Sequence, residues 1–207
     1  MKQETLLKII ELLRKNLDKG LTILEISKTL KIGYDPAHNH ITEMNKQGII
    51  TINKVGNAKQ CSLNLKNDNA RNLLQGVDLK KSEEIYKKNS KIKNILEALI
   101  SKLTEKYIAE MQSIILFGSY AKNTQKKDSD IDILFIVNDL KNKQLREDIE
   151  RECSSFEYSH NIKISPIITD ITEFKKMLAA KELNVGKEAR EYGISLYGSE
   201  KFWRILA

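Results

Sequence analysis

Ser113-Ile114-Ile115-Leu116-Phe117-Gly118-Ser119-Tyr120-Ala121-Lys122, followed after five residues by Asp128-Ser129-Asp130-Ile131-Asp132-Ile133-Leu134-Phe135-Ile136-Val137, is the stretch on which the fold turns. Its first half reads as an apolar strand, a Gly-Ser turn and the start of a helix. Its second half reads as a buried strand whose opening carries two carboxylates. Asp130 and Asp132 stand two apart, so on a strand they point to the same face. Side-by-side carboxylates repel unless a cation sits between them, and hard oxygen donors in this arrangement suit Mg²⁺. Gly118 lets a phosphate approach the backbone, Ser119 offers a hydroxyl, and amides at a helix N-terminus point at an anion. A cation beside a phosphate cradle is apparatus for phosphoryl or nucleotidyl transfer, in which the charge developing on a leaving pyrophosphate is neutralised.

The spacing is also specific. Gly118-Ser119, ten intervening residues, then Asp130-Ile131-Asp132 resembles the signature of the polymerase-beta-like nucleotidyltransferases, and within them the minimal nucleotidyltransferases. The tail Val185-Gly186-Lys187-Glu188-Ala189-Arg190-Glu191-Tyr192-Gly193-Ile194, then Leu196-Tyr197-Gly198, resembles the last helix and closing turn of that group. The resemblance covers about residues 111–207. It implies a small α/β domain with a mixed sheet, in which Gly118 and Ser119 hold the triphosphate of a nucleoside triphosphate, ATP by preference. It also implies Asp130 and Asp132 as ligands of Mg²⁺, with Ser119 beside them in the catalytic set. Taken singly, Ser119 reads as a helix N-cap and Asp130 as a turn residue ahead of a strand; the joint spacing favours the functional reading.

Two departures from the family pattern stand out. Lys122-Asn123 replaces the usual Arg-Gly after the turn; lysine keeps a charge for the nucleotide but loses the bidentate fork. The third carboxylate that active members carry on a neighbouring strand is missing, because Asn161-Ile162-Lys163-Ile164-Ser165-Pro166-Ile167-Ile168-Thr169 contains no acid. Asp170 follows at the expected N-cap of the next helix, a capping position. A general base is typically worth 10²–10⁴-fold in rate, so whether Asp170, Glu157 or Asp128 reaches the pair separates an enzyme from a nucleotide-binding remnant.

The other end of the chain has a different plan. An amphipathic helix opens at Leu6 and closes near Asp18-Lys19-Gly20, and Thr22 caps a second helix through Leu30. Asp35-Pro36 supplies an N-cap and a first-turn proline for a third helix ending near Gln47. On that helix Ala37, Ile41 and Met44 face inward, so His38, Asn39, Thr42, Asn45 and Lys46 face out. Ile49-Ile50-Thr51-Ile52 reads as a strand, residues 53–58 as a turn that includes Gly56 and Asn57, and Cys61-Ser62-Leu63-Asn64-Leu65 as the return. Three helices and a hairpin resemble the winged helix-turn-helix modules of bacterial and archaeal regulators. DNA contact then falls to Asn39, Thr42 and Lys46 on the third helix and to Lys54 and Lys59 on the wing. The competing reading is a protein-interaction module of the same shape. His38 and His40 on that helix read as surface residues rather than metal ligands.

The expected class is therefore α+β: a winged helix-turn-helix over 1–66, a helical connector over 67–110 broken near Gly76 and Asn89-Ser90, and a nucleotidyltransferase-like domain over 111–207. Composition agrees. The 207 residues carry 41% hydrophobic and 30% charged residues, a balance for a folded globule. The net charge of +7 is uneven: residues 1–66 hold 11 Lys and Arg against 6 Asp and Glu, and residues 111–207 hold 15 against 15. Such a basic front suits a polyanion, although a surplus of surface lysine has the same effect. Two cysteines and three histidines exclude a disulfide framework or an ordinary zinc site. No membrane-length apolar run is present, so no membrane contact is expected; the scarce cysteines suit a reducing, cytoplasmic compartment, and because winged-helix modules often dimerise a homodimer is expected. The resemblance further implies a protein acceptor, such as a HEPN-type toxin, or a small molecule. A regulator or antitoxin with a degenerate domain is the alternative. Phe202 and Trp203 read as a packing anchor.

Overall fold

The computed structural model describes residues 3–56 and 58–207. They form two compact units, one of residues up to Val77 with Trp203–Ala207, the other Asp78–Phe202.

In the first unit α1(Gln3–Arg14) buries Leu6, Ile9, Ile10 and Leu13 along one stripe. The helix ends before the expected Asp18–Gly20. Turns take over there, and the Gly20 N–H donates to Asn16 O at 2.8 Å. The short β1(Leu21–Thr22) leads into α2(Ile23–Leu30) through a capping box. Thr22 Oγ1 accepts the Glu25 N–H at 3.2 Å, and the Glu25 carboxylate accepts the Thr22 N–H at 2.7 Å.

Next, α3(Tyr34–Lys46) begins two residues earlier than expected: its N-cap is Gly33 rather than Asp35, and Asp35 and Pro36 lie within the first turn. Proline is harmless there because first-turn N–H groups have no partner inside the helix. The hairpin strands β2(Ile50–Val55) and β3(Ala58–Leu63) are longer than expected, so Asn53 and Lys54 pair within the ladder rather than turning. Asn57 lies outside the described residues. With β1 they form an antiparallel sheet of order β1-β3-β2.

The helix α4(Asp68–Lys88) runs unbroken through Gly76, contrary to expectation. An interior glycine costs roughly 1 kcal/mol, and burial of Ala70, Leu74 and Val77 around it outweighs that. The division between the units falls inside this helix. The break at Asn89 is present: its side chain caps α5(Ser90–Tyr107) by accepting the Ile92 N–H at 3.2 Å.

The second unit is built on β4(Met111–Phe117), α6(Gly118–Lys122), β5(Ile131–Val137), α7(Lys143–His160), β6(Ile164–Asp170), α8(Ile171–Ala179), α9(Val185–Tyr192) and β7(Ile194–Tyr197), with α10(Ser199–Ile205) following. The four strands make a mixed sheet of order β6-β5-β4-β7, in which only the β5–β6 pair is parallel. The interior of β4 and β5 is buried almost continuously, as in strands covered on both faces. α5 contributes Ile92, Ile95, Leu96, Leu99 and Leu103 to the same core, and α7 adds Leu145, Ile149 and Cys153.

Asp148 on α7 ties the two helices together. Its carboxylate is 2% exposed and accepts from Lys106 Nζ and Tyr107 Oη, each at 2.5 Å, and from Gln144 at 2.8 Å. Phe202 and Trp203 are fully buried; Phe202 packs on Phe174 in the second unit, and Trp203 lies under the Arg14 guanidinium in the first.

Candidate active site

The site forms where β4 ends. The strand delivers Phe117 in extended backbone as the N-cap of α6, and Gly118 follows at φ +68°. That left-handed conformation is open to glycine and costly to residues with a Cβ. A Cβ at this position would also overlap the carboxylate of Asp132 on β5. Glycine is thus required twice over, by conformation and by the approach of a carboxylate. Ser119 stands in the first turn of α6 and is half-buried, so the N-cap role belongs to Phe117 rather than to Ser119.

Asp130 directly precedes β5 and Asp132 is its second residue; the two are half-buried. Their environments differ. The Asp130 carboxyl is held below the usual carboxylate range, first by a hydrogen bond from Lys163 Nζ at 2.5 Å and also by Ser165 Oγ at 3.2 Å. Asp132 is raised instead, first by burial and then by the negative charges of Asp130 and Glu188.

The neighbouring strand explains the missing acid. β6 runs parallel to β5 with Ser165 opposite Asp132, and the Ile131 N–H donates to Lys163 O at 2.8 Å. The places beside the two aspartates are therefore filled by a hydroxyl and an ammonium. Asp170 is engaged at the far end of the strand, where its Oδ1 accepts the Glu173 N–H at 2.8 Å as the N-cap of α8. Asp128 is exposed in the turn before β5. Among the described residues no three His, Cys, Asp or Glu side chains gather into a metal cluster.

Even so, the donors suit a magnesium ion. Mg²⁺ is commonly held by one or two carboxylates together with substrate phosphates. Asp132 is raised first by burial and only then by neighbouring negative charge, and a cation would relieve the second of these.

Lys122 closes the other side of α6. Its ammonium lies 2.6 Å from Glu188 Oε1 and 5.2 Å from the centre of the Tyr192 ring. Glu188 and Tyr192 are one turn apart on α9, so a single helical face holds the lysine. Neither Glu188 nor Lys163 emerges from the motif itself. The signal for Lys163 is its alternation with Ser165, which places both on one face of the strand after the crossover. For Glu188 it is the i, i+4 pairing with Tyr192.

In the first unit, His38, Asn39, Asn45 and Lys46 of α3 are exposed and Thr42 is half-buried, while Ala37, Ile41 and Met44 are buried. Lys54 and Lys59 are exposed and directly opposite each other across the β2–β3 ladder.

The family described as "Nucleotidyltransferase domain" matches residues 92–192. A Methanocaldococcus jannaschii protein named "Putative protein adenylyltransferase MJ1305" is 32% identical over 117 residues, covering 55% of this chain and 76% of that protein. A second protein of the same organism, carrying the same name with the designation MJ0141, is 29% identical over 87 residues, covering 42% of this chain and 80% of its own length. Among solved structures, a toxin-antitoxin crystal structure with AMP-PNP is similar over 53% of this chain and 82% of that one, at 23% identity and a TM-score of 0.37. No helix among the described residues is long and apolar enough to cross a membrane.

Proposed function

The chain belongs to the nucleotidyltransferase-domain family, and from that premise we propose that it moves a nucleoside monophosphate, AMP by preference, from a nucleoside triphosphate to an acceptor hydroxyl. The observation that carries this reading is the meeting of Gly118 with Asp132 on β5, with Asp130 directly ahead of that strand. Gly118 and Ser119 bind the triphosphate, and Lys122 adds charge once it leaves Glu188. Asp130 and Asp132 would hold Mg²⁺. When bound, the ion supplies charge neutralisation for the departing pyrophosphate.

In the transfer the acceptor oxygen bonds to the α-phosphorus, and the bond from that phosphorus to the oxygen bridging the β-phosphate breaks. Pyrophosphate leaves with the electron pair, and the hydroxyl proton is released. The one carboxylate on β6, Asp170, is engaged as the N-cap of α8 at the far end of the strand, so the proton passes to solvent. A protein acceptor accords with the names of the relatives, a HEPN-type toxin being one candidate and a small molecule the other.

The same proposal reads residues 1–66 as a winged helix-turn-helix, residues 67–110 as a connector and residues 111–207 as the transferase-like domain. DNA would be contacted through Asn39, Thr42, Lys46, Lys54 and Lys59, by a homodimer. One observation favours a second reading, a DNA-binding regulator or antitoxin that binds nucleotide without transfer: Ser165 stands where a third acid would complete the site.

Calorimetry with ATP and Mg²⁺ tests both readings on the wild type and on the Asp130→Asn/Asp132→Asn double variant, with labelled nucleotide followed onto co-purified protein. Binding that needs the aspartates, together with transfer, supports the enzyme. Binding without transfer favours the regulator, and no binding removes both nucleotide readings.

A further inference from the structure

We infer that Lys163 takes the place of a second divalent cation, so that Asp130 and Asp132 engage a single one when nucleotide binds. This rests on the nucleotidyltransferase reading above and deepens it.

The ammonium of Lys163 lies 2.5 Å from Asp130 Oδ2, and Ser165 Oγ donates to the same oxygen at 3.2 Å. This placement is not left to a flexible side chain alone. The Ile131 N–H bonds Lys163 O at 2.8 Å, and Ser165 is the parallel ladder partner of Asp132, so the backbone pins residue 163 beside the aspartate pair.

Charge counting gives the consequence. A site with three carboxylates carries three negative charges, enough to hold two divalent cations roughly 3.5–4 Å apart. Asp130, Asp132 and Lys163, with the mutually neutralising Lys122–Glu188 pair beside them, carry a single net negative charge. One divalent cation then leaves the site mildly positive, which suits a triphosphate. A second would sit against the ammonium with too few ligands: Mg²⁺ demands a near-complete octahedron of oxygens, and among the described residues no third acidic ligand is gathered with the pair. Because the Lys163 side chain is 60% exposed, it can swing from Asp130 to a phosphate oxygen without leaving a buried charge unpaired. The lysine thus opposes the cation in the empty site and assists the anion in the filled one.

Counting Mn²⁺ by the electron paramagnetic resonance signal of the free ion tests this on the full chain. With a saturating non-hydrolysable ATP analogue, wild type should bind one Mn²⁺ per chain. Without nucleotide, Lys163→Met should bind Mn²⁺ roughly three- to fivefold more tightly, the range a partly exposed ion pair commands. It should bind the analogue more weakly, whereas Lys163→Arg should stay within about twofold of wild type in both. Two Mn²⁺ per wild-type chain, or an Mn²⁺ affinity unmoved in Lys163→Met, overturns the inference and leaves the nucleotidyltransferase reading standing. Failure of wild type to bind Mn²⁺ or the analogue at all overturns that reading, and this inference with it.

Discussion

The backbone of Gly118 and the carboxylate of Asp132 approach so closely that no β-carbon fits between them. The turn after β4 and the start of β5 are therefore one unit, and the glycine sits at φ +68° within it. Gly118→Ala should lose ATP binding, and should destabilise the chain by at least about 1–2 kcal/mol from the left-handed backbone alone. Denaturant unfolding and calorimetry measure the two effects. A variant of wild-type stability and affinity would mean that the turn is not the cradle.

Lys122 is held between Glu188 and Tyr192, and the proposed phosphate contact would require its release. Glu188→Gln removes the ion pair while keeping the side chain's shape. ATP should then bind roughly two- to fivefold more tightly, the scale of a half-exposed ion pair, and Lys122→Ala should weaken it. Equal affinities in all three proteins would show that Lys122 does not touch the nucleotide.

Asp132 predicts a conflict between stability and function. Its carboxyl is raised in the folded chain, so across that window the folded state binds more protons than the unfolded state. Stability contributed by this group accordingly falls as pH rises. At neutral pH the ionised group is a net cost, so Asp132→Asn should raise the thermal midpoint of the metal-free chain while abolishing Mn²⁺ binding. In wild type, Mn²⁺ affinity should weaken on acidification, beginning above the usual carboxylate range. A lowered midpoint for Asp132→Asn would contradict this account.

Asp148 has the opposite sign. Donors on Lys106, Tyr107 and Gln144, with Arg151 nearby, hold its carboxyl well below the usual range. Its contribution to stability is present above the unfolded value of about 4 and is lost as pH falls below it. The wild-type midpoint should drop steeply under acid. Asp148→Asn should be less stable at pH 7 and show a flatter acid limb; parallel curves for the two proteins would exclude this residue as the acid trigger.

For the first unit, Lys54→Gln and Lys59→Gln should each weaken binding to a mixed-sequence duplex and lower the slope of log affinity against log salt by about 0.9. Asn39→Ala should change sequence preference and leave that slope unaltered. Salt-titrated fluorescence anisotropy distinguishes these outcomes, and an unchanged slope in both lysine variants would count against a DNA-contacting wing.

What the sequence discloses follows its local physics. The Gly-Ser turn, the two aspartates and the Thr22 cap can be read because each depends on neighbours within a few residues. Gly76 misleads because propensity is a local quantity, whereas the burial of Leu74 and Val77 that keeps the helix whole is not. Lys163 and Glu188 stay hidden for a related reason. One meets Asp130 through a parallel pairing across a crossover helix, and the other meets Lys122 from α9 near the end of the chain. Neither partner can be inferred from spacing along the chain.

The sheet order also sets a timetable for biosynthesis. β4, which leads into Gly118, lies between β5 and β7 and gains its second hydrogen-bonded neighbour only from residues Ile194–Tyr197. A chain emerging from the ribosome can pair β4 with β5 early, but it must wait for nearly all of the remaining residues before the strand behind the turn is enclosed. Until then the Gly118-Ser119 turn hangs from an open sheet edge, which invites pairing with other chains. Nascent or prematurely ended copies would pass through that exposed stage before the sheet is complete.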